Sequence, residues 1–248
     1  MEKRLKILNI WVDPVSRPEA IRRVEEFLAD GTRVRSIFSA NPEKNFSVPR
    51  DSVLQEVFQS ADMLVPDGIG VVWAAKVLHG VKHARLPGVE LLEDICSLAV
   101  RGRHPIFVYG AQEEINAIAV EKLQERHPGL IVAGRSHGYV REEEMAELIG
   151  RINSSRAEVL FLALGSPRQE RWFATHRESL KTVRVCQGIG GSLDVIAGMV
   201  RRAPETWRRL DAEWLYRLLS EPGRIRRQKV LPVCAARVLA AKVRSFFD

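Results

Sequence analysis

No stretch of this chain approaches the roughly 20 uninterrupted apolar residues that a membrane-spanning helix requires. The opening residues Met1 to Leu5 are charged and the apolar run Ile7 to Val12 is too short for a secretory signal core, so the reading is a cytoplasmic protein. Cysteine is scarce. Cys96, Cys186 and Cys234 lie far apart among apolar neighbours, with no pair at metal-ligand spacing, and read as reduced core residues. No Asp-x-Asp occurs either; the nearest case, Asp211-Ala212-Glu213, falls in a predicted helix, where residues two apart do not share a face. The glycines form no G-x-G-x-x-G fingerprint and are followed by no P-loop lysine. That counts against a nucleotide-dependent oxidoreductase.

What is present is an ordinary soluble composition, 46% hydrophobic and 28% charged over 248 residues, enough for one large domain or a domain with an appendage. The net charge of +7 is not spread evenly. Residues 201–248 carry 12 Lys and Arg against 5 Asp and Glu, whereas residues 1–200 balance at 26 and 26. A neutral body with a basic tail predicts an anionic partner for the tail: nucleic acid, anionic lipid or a phosphorylated substrate. Nucleic acid is the weakest of these, because the body has no basic excess and no recognisable nucleic-acid module. The expectation is no nucleic acid.

Strand and helix patterns alternate along the body. Lys6 to Val12 reads as a first strand, Pro18 to Leu28 as a helix, Val34 to Phe38 as a second strand and Met63 to Val65 as a third. Ile69 to Leu78 continues as a helix, and Leu91, Leu92, Ile95, Leu98 and Ala99 stripe the next. Pro105 to Tyr109, Leu130 to Ala133, Glu158 to Leu164 and Val183 to Cys186 are further strands, with Gly134 to Val140 a loop. Ile115, Ile118, Ala119 and Leu123 mark the helix that follows Tyr109. Such alternation predicts an α/β fold, a Rossmann-like doubly wound and mostly parallel sheet over residues 1–200, with a helical basic appendage over 201–248. Ligands of such sheets bind where the carboxyl ends of strands meet helix starts.

That rule gathers the unusual residues on one edge. Ser39 and Asn41, Asp67, Gly110, Arg168 and Gln169, and Gly188 to Ser192 all follow predicted strands. Glycine turns that open helices present N–H groups to anions such as phosphate, although any one of them also serves as a packing turn. Asp67, in Pro66-Asp67-Gly68, has two readings: a helix cap, or a carboxylate aimed at a substrate. The two make opposing demands, since N–H bonds that hold a carboxylate also favour its ionised form and weaken it as a base.

Eight ordered motifs resemble one family. Phe38-Ser39-Ala40-Asn41-Pro42-Glu43, Pro66-Asp67-Gly68-Ile69-Gly70, Arg85-Leu86-Pro87-Gly88, His137-Gly138-Tyr139, Leu164-Gly165-Ser166-Pro167-Arg168-Gln169-Glu170, Gly190-Gly191-Ser192-Leu193-Asp194, Arg202-Ala203-Pro204 and Glu213-Trp214-Leu215-Tyr216-Arg217-Leu218 are similar to the WecG/TagA/CpsF glycosyltransferases, family 26. The resemblance implies an inverting transferase that moves a hexose, typically N-acetylmannosamine, from a UDP-sugar to a lipid-diphosphate-linked sugar at the inner face of the bacterial membrane. Surface polysaccharides and teichoic acids are made this way. Carried over by motif, Asp67 is the general base, Ser39 and Asn41 flank the acceptor pocket, Arg85 lies near it and Gln169 positions a substrate. The family's C-terminal appendage closes over the site and touches the membrane, which makes Arg217, Arg224 and Arg227 candidates for the diphosphate. Gly68, Gly110, His137, Gly138, Tyr139, Arg168, Gly190, Gly191 and Asp194 complete the expected substrate-binding set. No cofactor is implied beyond the UDP-sugar substrate, and a homo-oligomer is compatible with all of this.

The chemistry is consistent on independent grounds. An inverting displacement at an anomeric carbon needs one base for the acceptor hydroxyl, and the leaving UDP needs its growing diphosphate charge stabilised. Without an Asp-x-Asp, arginines and backbone N–H groups are favoured over a metal. This chain departs from the family at Ser39, where Thr is usual, and at Val89-Glu90, where Thr-Asp is common. The second departure leaves the sugar open, with UDP-glucose an alternative donor. In the tail, Trp207, Leu210, Trp214, Leu215, Leu218 and Leu219 fall at helical spacing, Pro222-Gly223 breaks the pattern, and Arg224, Arg226, Arg227 and Lys229 cluster. Pro232 can open a last helix mixing Val233, Val238, Leu239 and Val243 with Arg237, Lys242 and Arg244. Apolar residues with a basic face suit either an anionic membrane interface or a terminal helix packed on the body.

Overall fold

The computed structural model describes residues 3–200, 203–209, 214–216 and 229–245. Its centre is a six-stranded sheet with every neighbouring pair parallel, in the order β4-β3-β8-β7-β5-β6. In chain order the strands are β3 (Arg35–Ala40), β4 (Met63–Pro66), β5 (Ile106–Gly110), β6 (Val132–Ser136), β7 (Val159–Ala163) and β8 (Val185–Gly188). Every residue of β4, β5, β7 and β8 is buried, as expected for parallel strands covered on both faces. The doubly wound α/β expectation holds.

The first predicted strand is a correction. Lys6 to Val12 is not one strand of the main sheet but a separate antiparallel hairpin, β1 (Leu5–Ile7) and β2 (Ile10–Val12), registered Leu5 to Val12. Leu8 turns the chain with a left-handed φ of 57°, and Asn9 is pinned by Asn45, whose Oδ1 accepts its N–H at 3.0 Å. An apolar run shows hydrophobic residues; it does not show a reversal inside them. A second correction concerns Gly134 to Ser136, read as loop and found as the end of β6. Gly134 is needed there, because a Cβ would lie 2.5 Å from the Phe107 ring on β5.

Helices cover both faces. On one lie α2 (Lys44–Ser47), α3 (Ser52–Ser60), α4 (Ile69–His79), α7 (Met145–Ser154) and α8 (Arg168–His176), whose Val57, Phe58, Ala75, Leu148 and Phe173 share a core with Phe38 and Leu160. On the other lie α1 (Arg17–Asp30), α5 (Gly88–Gly102), α6 (Glu113–Arg126) and α9 (Ser192–Ala197), with Val24, Ile95, Ala119 and Leu193 packed against Ile37 and Phe161. The chain leaves β3 through α2 and α3 on the first face and leaves β8 through α9 on the second. The ends of β3 and β8 therefore flank the topological switch point, where such sheets open a crevice. On α6 the stripe differs from the expectation in one place: Asn116 is fully buried while Ile115 and Ile118 are half-buried. Its Nδ2 donates to the carbonyls of Gly110 (2.8 Å) and Ser136 (3.1 Å), which ties the ends of β5 and β6.

Of the tail, α10 (Glu205–Arg209) and α11 (Val230–Arg244) are described. Trp207 and Tyr216 meet with tilted rings, their centroids 5.8 Å apart. Pro232 sits in the first turn of α11, where its missing N–H costs no helical bond. This helix packs on α4, with Cys234 and Val238 buried in the first core and Arg237 over the Phe46 ring at 5.0 Å. Val238 is thus a core residue, while Val233, Leu239 and Val243 remain exposed at 44%, 51% and 55%. Arg217, Arg224 and Arg227 lie outside the described residues, as do Leu210, Leu218 and Leu219. All three cysteines are free and buried, as read from sequence.

Candidate active site

The parallel register delivers the predicted residues to a single edge. Across the carboxyl ends of the strands the order is Asp67 after β4, Asn41 after β3, Gly190 after β8, Gly165 and Gln169 after β7, Gly110 ending β5, and His137 to Tyr139 after β6. Ser39 pairs with Val65 and Ala40 with Pro66 across the β3–β4 ladder. The ladder runs one step further, the Asp67 N–H donating to the Ala40 carbonyl at 3.2 Å. With strands spaced about 4.8 Å apart, Asp67 and the Gly165 turn are separated by about 14 Å along this edge.

Asp67 does not cap the helix that follows it. The N-cap of α4 is Gly68, without a side-chain cap bond. Its carboxylate instead reaches α5, accepting the Gly88 N–H on Oδ1 at 3.3 Å. The segment carrying Gly88 is tied back to the same strand end by the Leu86 N–H, which donates to the Pro66 carbonyl at 2.9 Å. Arg85 precedes it and is half-buried beside this edge. Behind Gly88, Gln187 of β8 donates from Nε2 to the Gly88 carbonyl at 3.0 Å. Ser39 Oγ lies 3.2 Å from where a Gly88 Cβ would stand, so Ser39 and the start of α5 are in contact. Any side chain at 88 would push into that hydroxyl.

The two glycines after Asp67 have a packing reason. A Cβ at Gly70 would come within 2.6 Å of the Pro42 ring, and one at Gly68 within 3.1 Å. The Asn41-Pro42 turn therefore lies directly on the start of α4. Asn41 Oδ1 accepts the Lys44 N–H at 3.3 Å and so ties its turn to the start of α2. At the next strand ends, Gln169 Oε1 accepts the Gly190 N–H at 2.9 Å and joins the β7 and β8 turns. Gly188 makes room for this, since a Cβ there would stand 2.7 Å from Gln169 Nε2 and from Phe38. Gly165 and Gly190 have left-handed φ angles of 72° and 52° and nothing within 4 Å of a built Cβ. Their backbone borders open space.

Further along, Arg168 donates to the Gly138 carbonyl at 3.1 Å. Gly138 itself lies against Gly110, a Cβ there falling 3.1 Å from the Gly110 Cα. Burial pushes the Tyr109 phenol upward against the pull of Arg168. Tyr139 projects from the loop at 63% exposure, and its N–H meets His137 Nδ1 at 3.2 Å. Asp194 sits in the first turn of α9, its Oδ2 3.5 Å from a Cβ built at Gly191. Glu90, one of the departing residues, faces Arg17 at 3.6 Å.

Sequence reasoning missed the Gly88 N–H as partner of Asp67, Gln187 behind it, and a buried pair between Lys44 and Glu170. Gly88, Lys44 and Glu170 stand in or beside the recognised motifs, but no spacing rule links one strand end to another. Among the described residues no group of three or more His, Cys, Asp or Glu is placed to hold a metal ion, and no helix is long and apolar enough to cross a membrane. Two open clefts, one along Arg33, Arg156 and Lys181 and one along Glu25, Leu98 and Arg101, lie away from this edge.

Comparison with known proteins agrees with the motifs. The family described as glycosyl transferase WecG/TagA/CpsF matches residues 5–246. A Bacillus spizizenii protein named N-acetylglucosaminyldiphosphoundecaprenol N-acetyl-beta-D-mannosaminyltransferase is 35% identical over 219 residues, covering 88% of this chain and 84% of that protein. A Staphylococcus aureus protein of the same name is 33% identical over 241 residues, covering 96% and 93%. The strand-end carboxylate, the glycine turns and the near full-length match agree: the chain belongs to the WecG/TagA/CpsF family of glycosyl transferases.

Proposed function

We propose that this enzyme transfers N-acetylmannosamine from a UDP-sugar to N-acetylglucosaminyl-diphosphoundecaprenol, with inversion, at an anionic membrane surface. The names of the relatives supply the acceptor and the sugar. The observation that carries the mechanism is Asp67, held on α5 by the Gly88 N–H and in line with Ser39, Asn41 and Gln169. In the reaction the acceptor oxygen attacks the anomeric carbon and the bond from that carbon to the diphosphate oxygen breaks, its electron pair leaving with UDP. Asp67 takes the hydroxyl proton. The open backbone at Gly165 offers an N–H group to the diphosphate, with Arg168 nearby. Arg217, Arg224 and Arg227 add positive charge from the appendage beyond residue 200.

The test is turnover of UDP-N-acetylmannosamine with a synthetic polyprenyl-diphosphate-N-acetylglucosamine, the product linkage being read by NMR. A β-linked product from the α-linked donor supports inversion. Consumption of UDP-glucose in place of N-acetylmannosamine would replace the donor, in keeping with Val89-Glu90 beside the site.

A further inference from the structure

Lys44 and Glu170 form an ion pair that the reaction itself does not call on. Lys44 Nζ donates to Glu170 Oε1 at 2.6 Å, and the two side chains are only 6% and 1% exposed. The same ammonium contacts Ser166 Oγ and lies 5.0 Å from the centre of the Phe58 ring. Glu170 Oε2 is buried with no hydrogen-bond partner among the described residues. Taking both charges out of water costs several kcal/mol, and apolar residues of similar volume often serve stability as well or better. Stability alone is therefore a poor reason for an ion pair here.

Its placement offers a better one. Lys44 begins α2, just after the Asn41 turn that ends β3, and its own N–H donates to Asn41 Oδ1. Glu170 follows Gln169 in the first turn of α8. These turns belong to β3 and β7, which do not touch in the sheet because β8 lies between them. The pair bridges over β8, while Gln169 fastens the same turn of α8 to Gly190 after β8. Two bonds from consecutive residues thus hold three strand ends at fixed spacing.

We propose that Lys44 and Glu170 are positioning residues, a buried strut that sets the distance between the Asn41 turn and the Gln169 turn across the mouth of the site. The inference rests on the proposed reaction only for what those turns bind. Displacing a substrate-positioning group by about 1 Å can cost on the order of a hundredfold in rate without removing any contacting residue.

The test pairs Lys44→Met with Glu170→Met, which replaces the strut by apolar volume, alongside Glu170→Gln, which keeps the shape and removes the charge. For the double variant the expected result is a Tm within a few degrees of wild type, kcat lower by about tenfold or more, and KM for the UDP-sugar changed less than threefold. Amide hydrogen exchange should quicken in segments 39–47 and 165–172 and stay unchanged elsewhere. Should the double variant fail to fold, Glu170→Gln carries the same two readouts. Wild-type kcat in a folded variant, or exchange raised evenly over the whole protein, would overturn the strut. A wild-type protein that turns over no UDP-sugar would count against the proposed reaction instead, and the exchange measurement, which needs no substrate, would still decide the strut.

Discussion

A base must be held in place, and in the proposed reaction Asp67 would be held by a neighbour in space and not in sequence. Its Oδ1 contact to Gly88 is long at 3.3 Å and comes from α5, so the carboxylate is anchored at the mouth of the site and turned away from its own helix. Asp67→Asn keeps that acceptor but cannot take a proton at neutral pH. Turnover should fall by about a hundredfold or more while UDP-sugar affinity by calorimetry changes little; near-normal turnover would remove Asp67 as the base. Gly188 makes a sharper residue-level case. Its hydrogen stands where a Cβ would be 2.7 Å from both Gln169 and Phe38. Gly188→Ala should cost about 1–3 kcal/mol in chemical denaturation and lower kcat as well, because Gln169 must yield together with the Phe38 ring. A stable variant with full turnover would show that Gln169 has room to move.

At the scale of elements, α11 joins two readings of the tail. Its Cys234 and Val238 complete the core over α4, while Val233, Leu239 and Val243 are left outside on the same helix as Lys242 and Arg244. Val238→Asp would bury a charge without a partner and should lower Tm by several degrees or more, whereas Leu239→Asp should leave Tm unchanged and weaken binding to anionic liposomes in a sedimentation assay. Equal effects of the two would mean that the exposed face has no lipid role. Elements of this kind were only partly legible in the sequence. The buried strands were visible because parallel strands between two helical layers read as continuous apolar runs, and Glu158 to Leu164 needed no correction beyond its ends. The hairpin at Leu8 and the helix Ser52–Ser60 were not, because a left-handed turn inside an apolar run and a helix capped by Asp51 leave faint local signals. The residues gathered on one edge were legible one by one, since each follows a strand in the sequence pattern. What joins one end to another, Asp67 to Gly88 or Lys44 to Glu170, depends on sheet order, and sheet order is set by long-range packing.

For the whole molecule, the question is how a neutral body would find the lipid-borne acceptor proposed for it. The charge excess lies wholly beyond residue 200, in 12 Lys and Arg against 5 Asp and Glu. Attraction of that segment to an anionic surface would contribute about 1 kcal/mol per basic residue close to the lipid and would be screened within about 8 Å at physiological salt. Binding to vesicles with anionic headgroups should accordingly weaken steeply as salt rises, and a protein lacking residues 201–248 should lose both vesicle binding and turnover of a polyprenyl-linked acceptor. The two losses need separating, because α11 also completes the core over α4. A short water-soluble diphosphate acceptor does this: if the tail acts chiefly by docking, point charge reversals at Arg224, Arg226 and Arg227 should reduce turnover of the lipid-linked acceptor far more than that of the soluble one. Equal loss on both acceptors would assign those arginines to the diphosphate in place of the membrane, and full activity of the truncated protein on vesicles would remove the tail from the mechanism altogether.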